Sequence, residues 1–288
     1  MSVGVDAGKT VLLNNSSLDE ELGYIELYRS FIDQVKNLEA INVEKEKELK
    51  ELREMMLKTQ APVILTEGKT DSSLLKLAMQ KLSIHQFDDW TIKPVCSGKT
   101  QNNNALLGYL TDLRDNTPGT TIVIGMFDRD TELFVNSDGG RKIDIRSEEY
   151  VKLADNIYAF AIPVPHERPE IDQISIEHYF TDSEIKTEAD GKRLFLGNEF
   201  FETGVYKGDE ELYYKAARNV AGTIKIIEHE SNKYVTKSDG TGDYSISKSK
   251  FVELIEGDVG AFKDISFLEF QKIFDVLQKI LNDSRANN

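Results

Sequence analysis

Val63 to Leu77 reads VILTEGKTDSSLLKL. Val63-Ile64-Leu65 is a short apolar run closed by turn residues, the pattern of a buried strand. TDSSLLKLAMQKL follows with helical spacing, and Thr70 or Asp71 is placed to cap its start. The stretch therefore predicts a strand, a tight turn and a helix. It also contains Gly68-Lys69-Thr70, the tripeptide that ends many phosphate-binding loops. Gly-Lys-Thr recurs at 8–10 and 98–100. Such a loop needs a further glycine five residues upstream, so that backbone N–H groups wrap the phosphates. Val3, Val63 and Lys93 occupy those positions. None of the three copies reads as a nucleotide site.

The same alternation continues downstream. WTIKPV reads as a second strand, CSGKTQNNN as a polar loop, ALLGYLTDLRDN as a helix and TPGT as a turn. TIVIGMF is a third, strongly apolar strand ending in Asp128-Arg129-Asp130. NIYAFAIPVP is a fourth, and EIDQISIEHYF enters a helix or turn. Strands alternating with helices predict a mostly parallel sheet covered by helices. In such sheets ligands gather beyond the carboxyl ends of the strands. Glu67, the loop at Ser97-Gly98-Lys99 and the pair Asp128/Asp130 all fall at that edge.

Upstream, residues 1–16 read as poorly structured. Residues 18–58 are helical, with Phe31, Val35, Leu38, Leu49, Leu52 and Met56 at three-four spacing, interrupted by Asn42 and Lys45. This is either a helical hairpin or coiled coil that docks a partner or a second copy, or a solvated helix on its own domain. Pro62 closes the segment. Beyond Lys186 regularity weakens. DEELYYKAARNVAGTI reads as helix, the region around Ser238–Gly242 as a turn or hairpin, and KSKFVELI and SFLEFQKIFDVLQKILND as amphipathic helices.

The 288 residues are 40% hydrophobic and 30% charged, enough for a packed core in roughly one to two domains. No run approaches the ~18 apolar residues of a membrane span, and the N-terminus lacks a signal-peptide pattern. The single cysteine, Cys96, excludes an internal disulfide and a cysteine-rich zinc site. A cytoplasmic protein with no membrane association is expected. The net charge of −15 argues against a passive nucleic-acid binder. It is compatible with an enzyme whose carboxylates hold metal ions that act on phosphodiesters.

Glu67, Asp71, Asp128, Asp130 and Glu177 are the acidic groups in question. Carboxylates converging on one edge repel unless cations lie between them, and Mg²⁺ and Mn²⁺ prefer oxygen ligands. Most also have an ordinary reading, and Asp130 is placed to cap the next turn through Thr131 or Glu132. Asp71 is a candidate cap, Glu67-Gly68 a strand-end turn and Glu177 a surface charge. Lys69 and Lys99 are loop lysines. His85, His166, His178 and His229 show no ligand spacing, and Cys96 reads as a small buried hydrophobe.

ILTEGKTD followed by an apolar strand ending MFDRD resembles the Toprim domain of topoisomerases and primases. That family carries Glu-Gly after its first strand and Asp-x-Asp after a later one. ISIEHYF, SGKTQNN and SKSKF resemble more specifically the Toprim nucleases of the overcoming-lysogenization-defect family and related anti-phage effectors. The resemblance covers residues 61–182 well and the C-terminal part more loosely. It implies an α/β, Rossmann-like Toprim sheet at 61–182, with an N-terminal helical segment at 1–60. A mainly helical region at 183–288 would complete the active site.

The resemblance also implies a regulated nuclease that cuts DNA or RNA with two Mg²⁺ or Mn²⁺ ions. Glu67 would be a metal ligand or general base. Asp71, Asp128, Asp130, Glu177 and Ser97 would be metal ligands, and Lys248, or alternatively Lys250, would stabilise charge on the phosphate. Family members carry an ATPase ahead of the Toprim domain, whereas about sixty residues stand here, with no phosphate loop. Either a separate ATPase or regulatory protein, or ATP-independent action, is implied. Two other readings stand beside this one. FDRDT superficially resembles the nucleophile motif of haloacid-dehalogenase phosphatases, although its threonine comes one residue early. A Toprim domain kept only as a binding scaffold is the other.

Overall fold

The computed structural model describes the chain except residues 1, 7–8, 14, 59–60, 96–102, 117–119, 131, 171–172, 203–204, 207–210, 216–224, 231–233 and 287–288. Side chains are described from residue 24 onward, leaving out also 52, 55–58, 205–206 and 215. Met1–Leu52 and Arg53–Asn288 are two compact units.

In the first unit, Ser2–Asp6 (β1) and Lys9–Leu13 (β2) pair antiparallel, Ser2 opposite Leu13. This corrects the expectation of an unstructured start. Val3, Val5 and Val11 are β-branched residues suited to a pleated surface. Asn15–Lys58 (α1) follows as one continuous helix of 44 residues, which rules out a helical hairpin. No proline interrupts it, and its Glu, Lys, Leu and Met content has high helix propensity.

The second unit is built on a sheet. Val63–Thr66 (β3) leads through Lys69–Lys81 (α2) to Thr91–Pro94 (β4). Asn103–Asn116 (α3) then leads to Val123–Phe127 (β5). Phe134–Asn136 (β6) and Lys142–Asp144 (β7) form a small antiparallel pair. Val151–Ala154 (β8) and Ile157–Ala161 (β9) complete the elements of this half. The five-stranded sheet has the order β4-β3-β5-β9-β8. Its first four strands are parallel, with Ile64 in register with both Ile92 and Ile124, and β8 runs antiparallel at the edge. The mostly parallel sheet expected from the sequence is present, whereas β6, β7 and β8 were not foreseen.

Every residue of β3, β5 and β9 is buried, as expected for strands covered on both faces. Gly125 is required by close packing. A methyl group there would stand 2.4 Å from Leu110 Cδ1 of α3 and 3.0 Å from the Phe127 ring.

After Asp182–Ile185 (α4) come short strands. Phe195–Leu196 (β10) pairs with Ile226–Ile227 (β14), Phe201–Glu202 (β11) with Val205–Tyr206 (β12), and Leu212–Lys215 (β13) with Tyr234–Lys237 (β15). Among the described residues the C-terminal region thus adds six short strands, which were not expected, to its helices. Leu212–Lys215, expected as helix, is a strand, and the end of that predicted helix lies outside the described residues. Tyr213 is 47% exposed and Tyr214 5%, which is the two-residue period of a strand.

Lys248–Glu256 (α5) and Gln271–Ala286 (α6) end the chain. Phe180, Phe251, Phe267, Phe270 and Phe274 join the apolar faces of these helices to Ile64, Leu74 and Ile124 in one core. The Phe180 ring meets Phe251 at 5.8 Å and Phe267 at 5.3 Å, both edge-on, an arrangement aromatic quadrupoles favour. Among the described residues no helix is long and apolar enough to cross a membrane.

Candidate active site

The chain visits β3, then β4 on one side, then β5 on the other. The direction of winding thus reverses between β3 and β5, the point beyond which ligands gather in sheets of this kind. Glu67 follows β3 and Asp128 follows β5. The Asp128 backbone N–H donates to Glu67 Oε1 at 3.1 Å. Two bonds then tie a distant segment to this edge. Arg129 N–H donates to the Ile174 carbonyl (2.8 Å), and Ile176 N–H donates to Asp128 Oδ1 (3.1 Å). They bring in the 3₁₀ turn Ile176–Tyr179, which Arg168 clamps by donating to the carbonyls of His178 and Phe180.

Glu177 lies in that turn and is 1% exposed, so it is not a surface charge. Its Oε2 accepts from Ser175 Oγ at 2.7 Å and from Lys248 Nζ at 2.9 Å. Its Oε1 is buried with no hydrogen-bond partner among the described atoms. Lys248 is the first residue of α5, behind the Ser247 cap. Its backbone N–H donates to Glu228 Oε2 at 2.8 Å. Lys250 is exposed and pairs with Glu253 at 3.1 Å on the helix surface. Of the two candidate lysines, only Lys248 reaches the carboxylates.

Asp71 and Thr70 do not occupy the cap position of α2. Gly68 does, and Asp71 sits a turn inside, its Oδ2 accepting the Gly68 N–H at 2.8 Å. Asp130 is exposed, with Asn103 Nδ2 donating to it at 3.4 Å. Ser97 and the Gly98–Thr100 tripeptide lie outside the described residues.

The electrostatics record the crowding. Burial, with the charges of Asp71 and Asp130, pushes Glu67 up to about 7. Burial and the neighbouring Glu177 raise Asp71 to about 6. Burial and Asp71 hold Asp128 well above the usual carboxylate range. Burial also works against ionisation of Glu177, but Lys248 and Ser175 more than offset it and leave its pKa lowered. Burial opposes the Lys248 charge as well, yet Glu177 and Asp128 raise its pKa on balance. One ammonium thus stands amid an excess of acid groups.

Comparison with protein-family models, curated proteins and solved structures found no match. The site therefore rests on its own geometry.

Among the described residues, no three acidic, histidine or cysteine side chains stand in a ready-made metal-holding arrangement. The donor chemistry nevertheless fits a hard divalent cation. The donors are oxygens, three of the carboxyls are hard to ionise without added positive charge, and one buried oxygen of Glu177 is unsatisfied. Sequence reasoning missed Ser175, which orients Glu177, and Glu228, which holds the start of α5. Ser175 stands two residues before Glu177 and was within reach of inspection. Glu228 had no signal, being twenty residues from Lys248 in a turn-rich stretch.

Proposed function

We propose that this protein is a metal-dependent nuclease of the Toprim type, cutting phosphodiester bonds of DNA or RNA. The observation that carries the reading is the convergence of Glu67, Asp71, Asp128 and Glu177 around Lys248 at the crossover edge. Mg²⁺ or Mn²⁺, as a pair of ions, would supply Lewis acidity and a nucleophilic water. Glu67, Asp71, Asp128, Asp130 and Glu177 would hold them, with Ser97 as a further donor.

The chain's own groups do the rest. Glu67, pushed up to about 7 in the metal-free site, would serve either as a metal ligand or, in the alternative, as the base that accepts a proton from an attacking water. Lys248 keeps its proton and offers a fixed positive charge to a phosphoryl oxygen. Ser175 and Glu228 orient the groups that flank that lysine. A nuclease of this kind needs control, so a regulatory partner, such as a separate ATPase, belongs to the same proposal.

The test is cleavage of supercoiled plasmid, single-stranded DNA and total transfer RNA in Mg²⁺ or Mn²⁺. Cutting is expected in the parent protein and abolished in Asp128→Ala and Glu67→Ala, which should keep the parent circular-dichroism spectrum. Activity that persists in both variants would refute the site.

A further inference from the structure

Helix α1 carries a face that the proposed chemistry does not use. Tyr24, Tyr28, Phe31, Val35, Leu38 and Asn42 follow one another at alternating steps of four and three residues. That is the 3.5-residue repeat of a coiled-coil seam. The opposite face bears Arg29, Asp33 and Lys36. Yet most of the seam is open to solvent: Tyr24 is 66% exposed, Tyr28 65%, Phe31 61% and Leu38 60%, with Val35 half-buried between them. Ile25 and Leu27, also exposed, widen the stripe. Aromatic side chains bury about 150–250 Å² each when covered. Three of them with these aliphatic neighbours approach the ~800 Å² per partner of a stable protein interface.

Asn42 identifies the occupant. It falls at the seam position where a buried asparagine fixes helix register at a cost in stability. That cost is smallest where its amide, which both donates and accepts, meets another amide. A second copy of this chain supplies one by identity if the helices run parallel and in register. We propose that α1 pairs in parallel with α1 of a second copy across Tyr24–Asn42, about 27 Å of helix at 1.5 Å per residue.

Sedimentation of the full-length chain at tens of micromolar tests this. The parent should have twice the mass of one chain. Leu38→Glu should halve that mass with an unchanged circular-dichroism spectrum, and Lys36→Glu, off the seam, should leave it dimeric. With Cys96→Ser as background, Asn42→Cys should form an interchain disulfide under mild oxidation, whereas Lys36→Cys should not. A monomeric parent protein would overturn the proposal and point to a different partner for the face. A dimer that survives Leu38→Glu, or one that does not cross-link at position 42, would overturn it equally.

Discussion

At the scale of single residues, the candidate site is held under electrostatic strain. Burial and the neighbouring Asp71 raise the Asp128 pKa well above the usual carboxylate range, so ionising it opposes folding of the metal-free chain. Asp128→Asn retains an oxygen to accept the Ile176 N–H and removes that charge. It should therefore raise the metal-free melting temperature while abolishing cleavage, a trade of stability against function. A melting temperature below that of the parent would contradict this account. Lys248 has the opposite role. Lys248→Ala leaves Glu177, 1% exposed, without its cation. Breaking a buried pair in this way costs about 3 kcal/mol or more. The double variant Lys248→Met/Glu177→Gln should recover most of that loss in urea unfolding. An equally unstable double variant would show that the pair is not the source.

At the scale of elements, β3 and β5 matter because they place Glu67 and Asp128 one backbone hydrogen bond apart. Their spacing from the helices is tightly set. Gly125 of β5 lets Leu110 of α3 pack directly on the strand. Gly125→Ala should destabilise by about 1–3 kcal/mol, the usual effect of overpacking a core, read as a lower urea midpoint. Pairing Gly125→Ala with Leu110→Ala should relieve part of the clash, and no relief would place the strain elsewhere. The helix α5 shows what an element adds to a motif. Lys248 and Lys250 are two residues apart, about 200° around a helix. The orientation of α5, set by Phe251 packing on Phe180, turns one lysine to the carboxylates and the other to solvent.

At the scale of the whole molecule, the acidic site should govern pH dependence. Glu67 rises from 4.5 to about 7 on folding and Asp71 from 3.8 to about 6. A carboxyl with a raised folded pKa stabilises the fold below its unfolded value, and that stability is lost as pH rises through the folded value. Glu177, lowered on folding, acts below its ordinary value, and Lys248, raised on folding, acts above its own. Neither intervenes near neutrality. The melting temperature in chelator should therefore fall between pH 5.5 and 8. Millimolar Mn²⁺ should raise it most at pH 8, where Glu67 and Asp71 are ionised and free to bind. Differential scanning fluorimetry reads both effects, and indifference to Mn²⁺ across this range would count against the metal-holding role.

Much of this was legible in the sequence. Apolar runs of four or five residues alternating with helical periodicity specified the parallel strands, because buried strands and amphipathic helices are encoded locally. Glu67 and Asp128 were legible as strand-end carboxylates, and Asp71 as one turn beyond Glu67. The short strands at 195–237 were not, since two-residue pairings leave no period to read and Leu212–Lys215 is only four residues long. Neither was the burial of Glu177, the choice of Lys248 or the part of Glu228. Those depend on contacts between residues 48, 71 or 20 positions apart. The sequence by itself determined the elements and the chemistry available at their ends. Only the tertiary structure decided which carboxyls share one desolvated edge, because burial and charge coupling arise from packing between distant segments.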